Sequence, residues 1–210
     1  MKEAKVYMQN KTNQVYKLRK QTIFFFDLDG TLINTDFANF LSYKAALLAV
    51  MGRNAPSISY NPMMRFNRSL LSSLFPSLAK SDYDRIIIEK EKFYIDYLSE
   101  TTIIKDNVEI LLKYSSTHKT VLVSNCRKDR ALATLSYHGL ADKFTKLFYR
   151  DAILYTKKIN KYQNAINILG VSPKDIITFE NEVSEITYAI DAGIKIINPK
   201  ILDRKSTRLN

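Results

Sequence analysis

The pattern of apolar and polar positions divides the chain into three regions. Residues 1–21 are polar and basic without clean periodicity, which predicts an N-terminal extension that either forms an extra strand or hairpin or stays mobile. Apolar residues recur at helical spacing over residues 36–102, broken by a loop that contains Pro56 and Pro62, so an all-helical segment is predicted there. From residue 103 to residue 199, short apolar runs alternate with helical patterns. This alternation predicts an α/β fold with a parallel sheet.

The strands of that sheet are predicted to end in polar residues. The unbroken apolar run Ile23 to Phe26 indicates a buried strand and is followed by Asp27. Two more apolar runs are followed by Ser124 and by Glu180, and a last one spans residues 194–197. Because open α/β sheets bind ligands beyond the carboxyl ends of their strands, we expect these three polar residues to converge on one site.

Composition is that of a globular protein in a reducing compartment. The chain has 210 residues, of which 46% are hydrophobic, enough for one domain and a small insertion. It has no run of eighteen apolar residues and no signal-peptide core at its start, so we expect no membrane span. The single cysteine, Cys126, excludes an internal disulfide framework and predicts a cytoplasmic location.

The charge of the chain is concentrated at its two ends. The formal net charge is +11, of which +5 falls in residues 1–21 and +3 in residues 200–210. Only +3 remains for residues 22–199. We interpret the two ends as an extension and a tail, and we do not expect specific recognition of nucleic acid.

The segment Asp27-Leu28-Asp29-Gly30-Thr31 is the strongest candidate for chemistry. Residues two apart on a strand face the same side, so the two carboxylates can share one site where the strand ends. Gly30 allows the chain to turn sharply. Two carboxylates can hold a hard cation such as Mg²⁺, or one can attack a phosphoryl group while the other transfers protons.

The pattern Asp-x-Asp-Gly-Thr after an apolar strand resembles motif I of the haloacid dehalogenase-like hydrolases. The resemblance implies a Rossmann-like core, residues 22–35 and 103–199, with residues 36–102 inserted as an all-helical cap of the C1 type. It implies that Asp27 is the nucleophile, which forms an aspartyl-phosphate, and that Asp29 is the general acid and base. The implied site also contains a Mg²⁺ ion held by Asp27, Asp29 and the Leu28 carbonyl, and substrate contacts at Gly30 and Thr31.

The run Val121 to Asn125 is similar to motif II of the same family. The resemblance implies that the Ser124 hydroxyl binds the transferring phosphoryl group and that Asn125 contributes its backbone N–H. A Ser-Asn pair is also common in ordinary turns. Its position after motif I favours the functional interpretation. Arg53, Arg65 and Arg68 of the predicted cap could reach an anionic substrate, although the pattern favours surface positions for them.

Motif III of the family requires a lysine near the start of a helix, where it stabilises phosphate charge. Three lysines compete for this role: Lys157, Lys158 and Lys161. Asn160 is a suitable N-cap for the helix that follows, with Gln163 completing a capping box. Because the family lysine tends to precede the cap, Lys158 ranks first, Lys157 second and Lys161 third.

The fourth motif departs from the family pattern. Counting back from Ala192-Gly193 places Asn181 where the family has a metal-binding Asp, with Glu180 before it and Glu185 at the further acidic position. Asn offers an oxygen but no charge. We therefore expect Glu180 to bind Mg²⁺ directly, Asn181 to assist and Glu185 to act through water, with weaker metal binding as the consequence.

These patterns predict a Mg²⁺-dependent phosphate monoester hydrolase that acts on a small phosphorylated metabolite or nucleotide. Two alternatives share the fold: a phosphomutase, which shares the first half-reaction, and a non-catalytic binding protein, which Asn181 favours. A dehalogenase fits less well, because a departing halide needs no proton. An RNA-associated protein that uses the basic ends is a third alternative. The sequence leaves the substrate and the oligomeric state open.

Overall fold

The computed structural model describes residues 15–16, 18–150 and 160–201. The strands among them are β1 (Val15–Tyr16), β2 (Ile23–Phe26), β3 (Ile33–Asn34), β4 (Thr102–Ile103), β5 (Lys119–Arg127), β6 (Lys146–Arg150), β7 (Ile176–Phe179), β8 (Ile196–Ile197) and β9 (Lys200–Ile201). Five of them form the parallel sheet of the core, in the order β6-β5-β2-β7-β8. The α-helices are α1 (Asp36–Met51), α2 (Arg68–Leu74), α3 (Lys80–Phe93), α4 (Lys105–Tyr114), α5 (Lys128–Tyr137), α6 (Lys161–Leu169) and α7 (Val183–Asp191). This arrangement confirms the predicted α/β class.

Strand β2 lies at the centre of the sheet because every one of its residues is apolar and buried. Phe24 and Phe26 belong to one apolar cluster, which α4 and α5 cover. Ile23 and Phe25 belong to a second cluster on the other face, which α6 and α7 cover. A strand buried on both faces requires a continuous apolar run rather than alternation. The central position places Asp27, the next residue, at the middle of the sheet edge.

The predicted helical insertion is present between β3 and β4. Helices α1, α2 and α3 pack around an apolar cluster of their own that includes Phe40, Leu47 and Ile86. A 3-10 segment, Tyr94–Glu100, then returns the chain to the core. Strands β3 and β4 pair antiparallel, with Ile33 opposite Ile103, so the insertion leaves and rejoins the core at neighbouring points. This two-residue pairing was not predicted, and β4 begins within the range assigned to the insertion.

The two ends of the described chain meet in a small parallel pair. In β1 and β9, Val15 lies opposite Lys200 and Tyr16 lies opposite Ile201. Part of the predicted extension and the first residues of the predicted tail therefore form strands. Residues 18–21 of the extension are also described, whereas residues 1–14, 17 and 202–210 lie outside the described part of the chain.

None of the helices formed by residues 15–16, 18–150 and 160–201 has the length and apolar character needed to cross a membrane.

Candidate active site

The three polar residues predicted to follow apolar runs converge at one edge of the sheet, although Ser124 lies within β5 rather than after it. In the sheet, Phe26 lies opposite both Leu122 and Phe179, so Asp27 and Glu180 each follow a paired residue and Ser124 lies two positions beyond Leu122. The Asp27 backbone N–H donates to the Phe179 carbonyl at 3.1 Å. All three polar side chains are buried, since their exposed fractions are between 2% and 6%. The parallel register alone therefore assembles the centre of the site.

Lys161 joins three carboxylates at this centre. Its Nζ donates to Asp27 Oδ1 and to Glu180 Oε2, both at 2.8 Å, and lies 3.3 Å from Glu185 Oε2. The lysine is the first residue of α6, whose N-cap Asn160 accepts a hydrogen bond from the Gln163 backbone N–H at 2.8 Å. The predicted cap is confirmed, but the Gln163 side chain bonds Asn167 instead of completing a capping box.

Among the three candidate lysines, the structure brings the third-ranked one, Lys161, to Asp27. Lys157 and Lys158, which ranked higher, lie outside the described residues. The ranking assumed that the lysine precedes the cap, whereas Lys161 follows the cap directly and reaches back over the start of the helix. Position relative to a cap does not determine how far a flexible side chain of four carbons extends.

Burial dominates the protonation chemistry of Asp27. It raises the pKa of this carboxyl to about 6, because desolvation exceeds the opposing attraction of Lys161, and Glu180 and Asp29 add repulsion. Burial alone would lower the pKa of Lys161, but the attraction of Asp27 and the neighbouring acids outweighs it, so the pKa of the ammonium lies above its usual range. Lys161 is therefore a permanent cation beside a carboxylate that titrates close to neutral pH.

Asp29 has a different set of partners. Its Oδ2 accepts from Arg130 Nη2 at 2.7 Å and lies 3.1 Å from Arg65 Nη2, while its Oδ1 accepts from Thr35 Oγ1 at 2.9 Å. Arg130 Nη1 also donates to Asn39 Oδ1, and Asn39 Nδ2 in turn donates to Thr35 Oγ1, both at 3.1 Å. This network aims the Thr35 hydroxyl hydrogen at Asp29.

The partners of Asp29 favour its ionised form. Burial would raise the pKa of this carboxyl, but Arg130, Arg65 and the Thr35 hydrogen bond outweigh burial and hold its pKa well below the usual range. A carboxylate in this environment can accept a proton more readily than it can supply one. The predicted role of Asp29 as proton donor therefore requires a change in these contacts.

The remaining predicted substrate contacts lie around the centre. Ser124 Oγ accepts from the Cys126 backbone N–H at 3.2 Å, and Asn125 Nδ2 donates to Glu185 Oε1 at 3.0 Å. Thr31 Oγ1 donates to Asn181 Oδ1 at 3.0 Å. Gly30 has a φ of +77°, and a Cβ built on it would lie 2.4 Å from Asn181 Nδ2. The positive φ of the turn after β2 therefore favours glycine, and a Cβ at this position would displace the Asn181 amide.

Three residues predicted as metal ligands accept hydrogen bonds from protein groups through the same oxygen atoms. The Leu28 carbonyl accepts from the backbone N–H groups of Thr31, Leu32 and Ile33, so the turn occupies it. Both oxygens of Glu180 are filled: Oε1 accepts from the N–H groups of residues 181 and 182, and Oε2 from Lys161 and Tyr162. The Asp29 side chain bonds Arg130 and Thr35. In this arrangement the oxygens of these three residues have protein partners, and their role as Mg²⁺ ligands stays a prediction.

The charge of the centre nevertheless fits a divalent cation. Three carboxylates surround one ammonium, which leaves two negative charges uncompensated, and their side chains are 8%, 1% and 14% exposed for Asp27, Glu180 and Glu185. The buried Glu185 Oε2 atom has no hydrogen-bond partner. Asp27 and Glu185 are suitable ligands for Mg²⁺, which commonly takes one or two carboxylates and keeps its waters. The described residues contain no preformed group of three or more His, Cys, Asp or Glu side chains for a metal.

A cavity of about 980 Å³ lies between the helical insertion and the edge of the core, where it reaches Glu185. Its walls include Asn125, Asn181 and Glu185 from the core and Arg65 and Lys90 from the insertion. Such a volume accommodates a small organic phosphate. Arg65 is the residue of the insertion that reaches Asp29, so the insertion takes part in the electrostatics of the site.

Sequence reasoning missed four residues that shape this site: Thr35, Arg130, Tyr162 and Asn198. Each lies outside the residues that carry the motif resemblance, and a short pattern carries no signal for them. Only Asn198 has a local signal, because an Asn-Pro pair after an apolar strand marks a sharp turn.

Comparison with known proteins identifies the family of the chain. The sequence model of the family described as haloacid dehalogenase-like hydrolase matches residues 24–198. The chain belongs to that family, as the resemblance of motif I predicted.

Solved structures with the same fold support the assignment. A predicted phosphoglycolate phosphatase from Haemophilus somnus has a TM-score of 0.69 and 19% identity, with 84% of each chain covered. The protein CbbY from Rhodobacter sphaeroides, solved with phosphate, has a TM-score of 0.67 and 15% identity, covering 85% of this chain and 86% of that one. A proposed beta-phosphoglucomutase from Thermotoga maritima has a TM-score of 0.61 and 21% identity, with 84% of each covered. At these identities the likeness concerns the fold.

Proposed function

We propose that the chain is a Mg²⁺-dependent phosphate monoester hydrolase that works through an aspartyl-phosphate on Asp27. The observation that carries the proposal is the buried Asp27–Lys161 pair at the end of the central strand, beside Ser124. A carboxylate that is ionised near neutral pH supplies the nucleophile for in-line attack on phosphorus. The fixed ammonium beside it neutralises charge on the phosphoryl oxygens. The solved structures of a predicted phosphatase and of a phosphate complex on the same fold support it.

In the first step, an oxygen of Asp27 attacks phosphorus and the bond between phosphorus and the ester oxygen breaks. Lys161 and the Ser124 hydroxyl bind the phosphoryl oxygens, whose charge increases on the way to the transition state. When Mg²⁺ is bound, held by Asp27 and Glu185, it supplies further neutralisation of phosphoryl charge. In the second step, water attacks phosphorus, inorganic phosphate leaves and the Asp27 carboxylate is restored.

Asp29 is the residue proposed to handle protons. In its ionised state it can accept the proton of the attacking water. To protonate the leaving oxygen it must first take up a proton, which its ion pairs with Arg65 and Arg130 oppose. Arg65 belongs to the insertion, so a movement of the insertion would weaken this opposition.

The first test measures phosphate release from p-nitrophenyl phosphate and a panel of phosphorylated metabolites, with and without Mg²⁺. Asp27→Asn should lower the rate at least about 10³-fold, because it removes the attacking oxygen. Asp142→Asn is the matched control, since that side chain is 72% exposed and should leave the rate unchanged. Equal rates for wild type and Asp27→Asn would contradict the proposed mechanism.

A phosphomutase is the second candidate, favoured by the structural likeness to a proposed beta-phosphoglucomutase. It would use the same attack by Asp27, but a sugar hydroxyl rather than water would take the phosphoryl group. Sugar phosphates in the panel separate the two activities, because a mutase produces an isomer without stoichiometric phosphate. We further propose a cytoplasmic location, which the single buried Cys126 supports.

A further inference from the structure

We propose that Asn198 and Tyr162 are positioning residues that hold Lys161 against Asp27 by fixing Glu180. The inference rests on the proposed function, in which Lys161 binds the phosphoryl group. Neither residue belongs to the motifs described above, and neither touches Asp27 by a hydrogen bond within the part of the chain that the structure describes. Their action is through the Glu180 backbone in one case and its carboxylate in the other.

Asn198 binds the backbone of Glu180 at two points. Its Oδ1 accepts from the Glu180 N–H at 3.0 Å, and its Nδ2 donates to the Glu180 carbonyl at 2.7 Å. The pairing of β7 with β8 ends at Thr178 and Ile197, so the Asn198 side chain continues the ladder where backbone pairing stops. Thr178 also accepts the Asn198 N–H at 2.9 Å. The carboxyl end of β7 is thereby fixed by a side chain.

The backbone of Asn198 adopts an unfavourable conformation in this arrangement. Its φ is 48°, and among the described residues other than glycine it alone has a positive φ. Asn adopts this conformation more readily than most residues, but it still costs about 1 kcal/mol. Glycine would relieve the strain and lose both contacts with Glu180. Such strain is retained where the side chain has a task.

Tyr162 contacts the carboxylate of Glu180, whereas Asn198 contacts its backbone. Its hydroxyl donates to Glu180 Oε2 at 2.7 Å, and its ring lies 5.1 Å from Lys161 Nζ. The side chain is fully buried. With two backbone N–H groups on Oε1, the Glu180 carboxylate has a single orientation in which Oε2 meets Lys161. Fixed second partners of this kind give a charged group a defined position.

Lys161 depends on Glu180 for its location between the acids. Its three carboxylate contacts have lengths of 2.8, 2.8 and 3.3 Å, and Asp27 and Glu185 are the other two partners. If Glu180 shifted, the ammonium would follow the remaining acids and leave the place proposed for the phosphoryl oxygens. A misplacement of about 1 Å in a site of this kind can lower a rate about a hundredfold.

The test compares Asn198→Gly, Asn198→Asp and Tyr162→Phe with wild type. Glycine keeps the positive φ without the contacts, aspartate keeps the shape without the donor, and phenylalanine keeps the ring without the hydroxyl. We expect Asn198→Gly to lower kcat/KM about ten- to a hundredfold and to weaken calorimetric binding of inorganic phosphate in the presence of Mg²⁺. Asn198→Asp and Tyr162→Phe should also lower kcat/KM and weaken phosphate binding. Asn167→Asp and Tyr188→Phe, on exposed positions of α6 and α7, are the matched controls.

A double-mutant cycle identifies the route of the effect. In a Lys161→Met background, Asn198→Gly should change phosphate affinity less than about twofold, because contacts that act through one residue are not additive. A loss of thermal stability with unchanged phosphate affinity and unchanged KM would overturn the inference and show a structural role. Because the binding cycle needs no turnover, it decides the inference even if wild type releases no phosphate, which would instead contradict the proposed function.

Discussion

Asp27 and Asp29 lie two residues apart and have opposite protonation environments. Asp27 faces one ammonium and two further acids, and burial raises its pKa to about 6. Asp29 faces two guanidinium groups and a hydroxyl, which hold its pKa below the usual range. A pair of acids separated in this way can divide nucleophilic attack and proton transfer between them. The difference arises from their neighbours, since both side chains are similarly buried.

The raised pKa of Asp27 predicts a dependence of stability on pH. Because the carboxyl binds its proton more tightly when folded, with a pKa of about 6 against its usual 3.8, its ionisation lowers the free energy of unfolding as pH rises from 4 to 6. In EDTA, Asp27→Asn should therefore be more stable than wild type at pH 8, by about 1–3 kcal/mol. The gain should shrink towards pH 4.

Urea denaturation at several pH values measures this effect. Asp142→Asn serves as the exposed control, for which no gain of this size is expected at pH 8. A destabilised Asp27→Asn protein at pH 8 would show that Lys161 needs Asp27 for its own burial. That result would reverse the electrostatic account given for the centre.

At the residue scale, the sequence was informative where function follows directly from a strand end. Asp27, Ser124 and Glu180 could be placed because each ends an apolar run. The order of the three lysines could not be derived from the sequence, because it depends on side-chain reach across the start of α6. The Leu28 carbonyl could not be assessed either, since three backbone N–H groups of the turn compete for it.

At the element scale, the turn after β2 determines how motif I meets the fourth motif. Gly30 approaches the Asn181 side chain so closely that a Cβ has no room, and the Thr31 hydroxyl bonds the same amide. Asn181 therefore acts as a packing and hydrogen-bonding partner of the turn. Asn181 is predicted to occupy the position where the family has an acid, and these contacts give its neutral side chain a role that needs no metal.

Comparing two glycines tests this steric account. Gly30→Ala should lose more free energy of unfolding than Gly170→Ala, because both have a positive φ but a Cβ on Gly170 meets nothing within 4 Å. We expect a difference of about 1–3 kcal/mol from the clash with Asn181. Chemical denaturation of the two variants gives the values directly. Equal losses would mean that the turn relaxes away from Asn181 at little cost.

Long elements were predictable because periodicity needs several residues to show itself. The strands predicted from apolar runs are all present, with β8 shortened to Ile196–Ile197 and β5 extended past Ser124 to Arg127. The pairs β3–β4 and β1–β9 were missed, since two residues carry no alternation and pair only because the rest of the fold brings them together.

For the molecule as a whole, the uncompensated negative charge at the centre lowers the free energy of unfolding. Three apolar clusters, two on the sheet and one in the insertion, supply the burial that supports it. How the insertion sits on the core could not be predicted, because it depends on contacts such as Arg65 with Asp29 that join segments distant in sequence.

Binding of Mg²⁺ should therefore stabilise the entire fold. At a concentration about 100 times its Kd, the ion should add about 2.7 kcal/mol to the free energy of unfolding, provided that it binds only the folded chain. Thermal unfolding with and without Mg²⁺ measures the shift. Glu185→Gln should reduce it, whereas Glu182→Gln, an exposed acid on the same turn, should not. A shift that survives Glu185→Gln would exclude Glu185 as a ligand.

The antiparallel pair β3–β4 has a consequence for how such a protein diversifies. Because Ile33 faces Ile103 and Asn34 faces Thr102, the two points where the insertion joins the core are about 5 Å apart. A tight turn could span that gap, and so could a foreign segment of any length whose ends meet. Recombination can therefore exchange the helical insertion for another segment while the sheet and the residues at its edge stay unchanged.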